Sequence, residues 1–144
     1  MSGAHRKHSA TFRVYYEDTD AAGIVYHANY LRFAERARTE MLRAWGFDHP
    51  TLEERFGVHF AVRRCRIEFR SPARLDDMLT VESEVIGAYG ARLELMQRIR
   101  TEAAAVADLA ITLALVDLRL RPVRLLRVLP GELLAELPPA PRRS

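Results

Sequence analysis

Between residues 11 and 17 apolar and polar side chains alternate, with Phe12, Val14 and Tyr16 on one face and Thr11, Arg13 and Tyr15 on the other. Period-two alternation marks a strand with one buried face. A first strand is therefore predicted here, with the ring of Tyr16 in the core and only its hydroxyl free to act. A run of turn formers follows, Asp18-Thr19-Asp20-Ala21-Ala22-Gly23, and then the period changes. Tyr30, Ala34, Ala37, Met41 and Trp45 recur at three- and four-residue steps and make one apolar helical stripe, with Arg32, Glu35, Arg36, Thr39 and Arg43 turned away from it. Asn29 is the expected N-cap and Gly46 the expected stop of a helix of about four to five turns. Tyr26 and Tyr30 read as packing residues.

Beyond Pro50, Val58, Phe60 and Val62 alternate, and the apolar phase then moves to Cys65, Ile67 and Phe69. A one-residue phase shift inside a strand predicts a bulge near Arg63 and Arg64. Leu79, Val81 and Val85 mark the next strand, Gly87-Ala88-Tyr89-Gly90 a turn, and Leu93, Leu95 and Ile99 its partner. The segment 103–120 is apolar on both faces, as a strand in the middle of a sheet should be. Residues 130–137 suggest a short helix, and Pro138, Pro139 and Pro141 read as a disordered end. The order of strand, long helix and four strands predicts an α+β fold whose mainly antiparallel five-stranded sheet carries the helix on one face. One helix cannot cover such a sheet, so a second copy of the chain is expected. The expected division is a flexible basic N-terminus at 1–10, a folded domain at 11–128, and a short helix with a Pro-rich tail at 129–144.

Composition supports one domain: of 144 residues, 49% are hydrophobic and 28% charged. The single Cys65 rules out an internal disulfide and a four-cysteine zinc framework. The N-terminal residues do not read as a signal peptide. The longest apolar run is interrupted by Asp108 and Asp117 and falls short of the roughly 20 residues that cross a bilayer. A cytoplasmic location is expected. The net charge of +3 is unevenly spread: residues 1–16 carry +3, residues 119–144 carry +4 and the centre −4. Of the 22 basic residues 21 are arginines, which codon bias or phosphate binding would each explain. The acidic centre and the lack of any RNA-binding or zinc motif argue against a nucleic-acid partner.

The densest set of reactive side chains runs from Tyr16 to Tyr30: Glu17, Asp18, Asp20 and His27 lie just before the amides of a helix start. Those amides lack helical partners and carry the positive end of the helix dipole, so they can meet an oxyanion. From the residues alone the simpler reading is that Asp18 and Asp20 are turn or capping residues and His27 a surface histidine. A divalent metal is not expected, because no EF-hand loop or second ligand cluster completes a shell.

Three stretches, Tyr15-Tyr16-Glu17-Asp18-Thr19-Asp20, Gly23-Ile24-Val25-Tyr26-His27-Ala28-Asn29-Tyr30 and Glu35 to Arg43, together with Pro72-Ala73-Arg74-Leu75-Asp76-Asp77-Met78, resemble the 4-hydroxybenzoyl-CoA thioesterase family of hotdog-fold proteins. Within it they are most similar to the bacterial Tol-Pal-associated acyl-CoA thioesterase branch. The resemblance runs from about Phe12 to Leu118. It implies a hotdog fold, with the sheet wrapped around one long central helix and two protomers sharing a continuous sheet, as a homodimer or a dimer of dimers. It also implies that Asp20, followed in register by Gly23 and Val25, is the catalytic carboxylate, with Tyr16 and His27 beside it. Asp18 falls on the wrong count from Gly23.

The implied reaction is hydrolysis of an acyl-CoA, or of an acyl-carrier protein thioester, without a cofactor. Asp20 would attack the carbonyl or deprotonate a water, and the His27 amide would meet the oxyanion. A thiol with a pKa of about 8.5 leaves without a strong acid. The His27 side chain either orients the water or is simply held at the helix start. Two other readings stand beside this one: an enoyl-thioester hydratase, and an arginine-rich module that binds acyl-carrier protein or nucleic acid without turnover. Arg63, Arg64, Arg66, Arg70, Arg92, Arg98 and Arg100 alternate along strands, and none is singled out as a CoA ligand. Arg119, Arg121, Arg124 and Arg127 suit an acidic carrier protein or peripheral association with the anionic inner-membrane surface.

Overall fold

Each predicted alternation becomes a strand, although several ends move. The computed structural model describes residues 5–140. β1 is Lys7–Arg13, β2 Val58–Phe69, β3 Met78–Tyr89, β4 Arg92–Arg100 and β5 Ala105–Asp117. They form one sheet in the order β1-β3-β4-β5-β2, and every neighbouring pair is antiparallel. The doubly apolar β5 lies inside the sheet, as expected, and β2 is left as an edge of 12 residues. The predicted bulge is present: Val62 faces Leu113 and Arg64 faces Thr112, so Arg63 is the extra residue. It brings Cys65, Ile67 and Phe69 onto the same face as Phe60 and Val62.

Both expected chain ends need correction. Lys7 to Ala10, placed in a flexible terminus by the sequence, pair with Glu84 to Val81 as part of β1. At the other end Leu137 is buried and the Pro138 carbonyl accepts the Ala88 N–H at 2.8 Å, so the segment after residue 128 packs on the domain up to Pro138. Residues 1–4 and 141–144, including Pro141, lie outside the described residues. β1 also stops at Arg13 rather than continuing to residue 17, because the Asp18 carboxylate takes the Tyr15 N–H at 2.9 Å.

Helix α1, Asn29–Ala44, buries the whole predicted stripe and lies against β3, β1 and β4. It ends at Trp45, and Gly46 follows at φ +87°, a left-handed conformation that glycine adopts without cost. The other helices, α2 (His49–Thr51) and α3 (Gly131–Ala135), are short. In outline this is the expected hotdog-like arrangement of a five-stranded antiparallel sheet with few helices.

The core under α1 holds a polar knot. Ser83 and Gln97 face each other across β3 and β4, and both are fully buried. Arg38, also buried, donates to Gln97 Oε1 at 3.0 Å, while Gln97 Nε2 donates to the Ala34 carbonyl at 3.0 Å and Ser83 Oγ at 2.9 Å. Burial lowers the Arg38 pKa, and the nearby Glu35 and Cys65 oppose that shift. A buried guanidinium without an acceptor is costly. Gln97→Leu should therefore destabilise the protein by about 3 kcal/mol, and Ser83→Ala by about 1 kcal/mol. Urea unfolding measures both, and equal small losses would show that Arg38 does not depend on Gln97.

Candidate active site

After Val14 the chain leaves the sheet and folds back on itself. Residues Tyr16–Asp18 form a single 3-10 turn, closed by Asp18 accepting the Tyr15 N–H through its carboxylate and donating its own N–H to the Tyr15 carbonyl at 3.0 Å. The Asp18 carbonyl in turn accepts from the Tyr26 N–H and from Asn29 Nδ2, both at 3.0 Å. Thr19 and Val25 bridge a tight hairpin between them. Within it the Asp20 N–H donates to Ile24 O at 2.9 Å, the Gly23 N–H to Asp20 O at 3.0 Å, and the Ala22 N–H to Asp20 Oδ1 at 2.8 Å. Gly23 stands at φ +79° with open space where a Cβ would be, so backbone conformation, not crowding, selects glycine.

This hairpin is fastened to the loop that enters β3. The Val25 N–H donates to Ala73 O at 2.8 Å and the Leu75 N–H to Gly23 O at 3.3 Å. Below them the Val14 N–H reaches Asp77 O at 2.8 Å, and the Asp76 N–H reaches Val14 O at 2.9 Å. The buried Tyr30 hydroxyl accepts the Ala73 N–H at 3.0 Å. Burial raises the Tyr30 pKa, the Ala73 N–H opposes this, and the Asp77 charge adds to it.

Of the three expected site residues, Asp20 is exposed at the hairpin, and its carboxylate bonds to the Ala22 N–H. His27 is also exposed; its ring lies 4.6 Å from that of Tyr26 and 6.1 Å, edge-on, from that of Phe69. Tyr16 needs correction: it opens the 3-10 turn and is 83% exposed, so its ring is not in the core. Tyr26, read as packing, is 48% exposed, and its ring lies tilted at 47° against that of His27. Among the described residues no hydrogen bond joins Asp20, His27 and Tyr16 to one another.

The helix start also differs from expectation. Ala28, in helical conformation, is the N-cap, and Asn29 is the first helical residue, because its side-chain amide is committed to the Asp18 carbonyl. No side chain caps α1. Among the described residues the His27 and Ala28 N–H groups meet no acceptor, so they remain available to a developing negative charge. Beside them a cleft of about 270 Å³ is lined by Ile24, Val25, Tyr30, Phe69 and Pro72, together with His27, Arg70 and Ser71. The structure thus gathers His27, Tyr30 and Phe69 around one cleft and leaves Asp20 and Tyr16 outside its lining. Phe69 and the Tyr30 hydroxyl were missed from sequence; the phase shift in β2 was the available signal for Phe69. Of the strand arginines, Arg70 pairs with Asp108 at 2.7 Å and Arg98 with Glu84 at 3.3 Å, so both are engaged within the chain.

Residues 14–142 match the sequence profile of the Thioesterase-like superfamily. The chain belongs to this superfamily. It is 46% identical over 127 residues to the acyl-CoA thioester hydrolase YbgC of Escherichia coli O6:H1, covering 86% of this chain and 90% of that protein. A probable thioesterase from Bartonella henselae superposes with a TM-score of 0.78 at 36% identity, covering 83% of this chain and 98% of that one. A 4-hydroxybenzoyl CoA thioesterase complexed with 4-hydroxybenzoyl CoA shares the fold, with a TM-score of 0.81 at 18% identity and coverage of 92% and 99%. The family expected from residues 15–43 and 72–78 is therefore confirmed for this thioesterase-like chain.

The two aspartates have separable roles in the geometry. Asp18→Ala, which removes the acceptor for the Tyr15 N–H, should cost about 1 kcal/mol and lower Tm by about 3 °C. Asp20→Asn on the exposed hairpin should stay within about 0.5 kcal/mol of the native protein. Calorimetry compares the two, and equal shifts would show that Asp18 holds the loop no more than Asp20 does.

Proposed function

We propose that this chain hydrolyses acyl-CoA thioesters to a free acid and CoA, with Asp20 as the catalytic carboxylate. The YbgC relative is an acyl-CoA thioester hydrolase and is matched over nine-tenths of its length, which supports the reaction class. The observation that carries the reading is the pair of unpartnered N–H groups at His27 and Ala28, next to an apolar cleft and on the same loop as Asp20. With the acyl chain in the cleft, the thioester carbonyl oxygen accepts from these amides as it becomes an oxyanion. Asp20 then either attacks the carbonyl carbon, giving a mixed anhydride that water opens, or takes a proton from an attacking water. The sulfur leaves as a thiolate, and no cofactor enters. The imidazole of His27 orients the water, while the exposed Tyr16 hydroxyl acts where the substrate reaches it.

A second copy completes this reading. α1 covers β1, β3 and β4, while Val62, Cys65 and Phe69 on the inner face of β2 stay exposed at an open edge. Pairing of β2 with β2 of another copy would extend the sheet around both helices, giving a homodimer or a dimer of dimers with one long helix central to each half. Acyl-carrier protein is the alternative carrier of the acyl group. No described helix is long and apolar enough to cross a membrane, and the cytoplasm is the proposed location.

Thiol release from a series of acyl-CoA substrates of different chain length tests the proposal. Asp20→Asn, which keeps the shape and removes the charge, should lower kcat by about 10²- to 10⁴-fold. His27→Ala, which leaves the main-chain N–H in place, should lower it by only about tenfold. Normal turnover by Asp20→Asn would take Asp20 out of the mechanism. Conversion of an enoyl-CoA to its 3-hydroxyacyl-CoA without free thiol would point to the hydratase, and no turnover of any substrate by the native protein would end the enzymatic reading.

A further inference from the structure

β5 ends in a turn that displays apolar side chains to solvent. Leu118 is 73% exposed and Leu120 is 68% exposed, with Arg119 between them and Arg121 following. The turn is held rigidly. Asp117 Oδ1 accepts the Arg119 N–H at 2.9 Å and the Arg121 N–H at 3.0 Å, the Asp117 N–H donates to Arg121 O at 2.9 Å, and the Leu120 N–H donates to Asp117 O at 2.9 Å. Leu120 stands at φ +64°, a conformation that a branched, bulky side chain avoids and that glycine or asparagine would take more easily. A strained backbone thus presents a leucine that stays two-thirds exposed.

The pattern continues along the segment that follows. Arg124 and Arg127 are exposed, and so is Leu126 at 69%. Among the described residues none of Arg119, Arg121, Arg124 and Arg127 forms an ion pair within 4.0 Å. The one acid of the turn, Asp117, is occupied by two backbone N–H groups. Leucines at the tip of a convex turn, interleaved with unpaired guanidinium groups, suit a surface that offers both hydrocarbon and fixed negative charge. A folded acidic protein offers the charge but would need a groove to receive the projecting leucines.

We propose that the Asp117–Arg121 turn, with the basic segment to Arg127, docks this protein on an anionic phospholipid surface. The leucines enter the boundary between headgroups and acyl chains, and the arginines lie among the phosphates. In the β2–β5 register Asp117 pairs with Val58, whereas Phe69 of the cleft pairs with Ala107 at the other end of the ladder. Within one copy the turn and the cleft therefore lie at opposite ends of this ladder. The proposal stands independently of the thioesterase reading.

Sedimentation of the native protein with vesicles of phosphatidylcholine alone, or of phosphatidylcholine mixed with phosphatidylglycerol, tests it. Binding is expected to the mixed vesicles only, and it should weaken as salt screens the arginines. The double variant Leu118→Ser with Leu120→Ser should bind at least about tenfold more weakly, and Arg119→Gln with Arg121→Gln should also lose binding, while both keep native thiol release from soluble acyl-CoA. Equal binding to both vesicle types, no binding to either, or native binding by the leucine variant would overturn the proposal. Capture of purified acyl-carrier protein by the native chain but not by the arginine variant, with no vesicle binding, would assign the surface to an acidic protein. A smaller mass for the leucine variant in sedimentation equilibrium would assign it to contact between copies.

Discussion

The two main-chain groups of Ala73 tie the reactive loop to the rest of the molecule. Its carbonyl receives the Val25 N–H from the hairpin, and its own N–H is given to the Tyr30 hydroxyl from the first turn of α1. Ala73 itself is fully buried. The hairpin that carries Asp20 and the helix start that carries the open amides are therefore held against a single residue of a third segment. Preorganised donors are effective because they do not have to be reoriented as charge develops. The Leu75 N–H on the Gly23 carbonyl and the Asn29 amide on the Asp18 carbonyl add two further ties, so the hairpin is fixed both to the β3 loop and to the helix start.

The other end of the constraint lies deeper in α1. Arg38, two turns along the helix, reaches through the core to Gln97 on β4, and Gln97 returns a bond to the helix at Ala34. Apolar packing alone would tolerate small rotations of a smooth helical stripe over the sheet. A directional network of a buried cation, an amide and a hydroxyl favours one rotation, since each partner is costly to leave unmatched. The rotation of α1 in turn sets where Tyr30 meets Ala73, so the polar knot in the core supports the geometry at the surface.

Much of this was legible in the chain because it is written as period and count. The β2 bulge followed from a one-residue shift of phase. Ser83 and Gln97 occur as polar interruptions in two otherwise apolar alternations, and they acquire meaning only when the fold sets them opposite each other and beneath Arg38. Tyr16 shows how a pattern misleads. The alternation continues past Arg13 by chance, while Asp18 captures the Tyr15 N–H and turns the chain, a local competition that periodicity does not register. Asn29 failed as a cap for the opposite reason: its amide was claimed by a carbonyl 11 residues earlier in the chain.

The extra residue in β2 has a consequence for how such a chain can diverge. Phe60 and Val62 on one side of Arg63, and Cys65, Ile67 and Phe69 on the other, share an inner face only because that residue is present. Loss of one residue between Phe60 and Phe69 would turn Phe69 outward and bring the neighbouring charged position, Glu68, toward the cleft. Substitution along this strand is free to adjust the width and chemistry of the cleft. Change in its length is not, so in this stretch evolution can explore composition but is barred from exploring register.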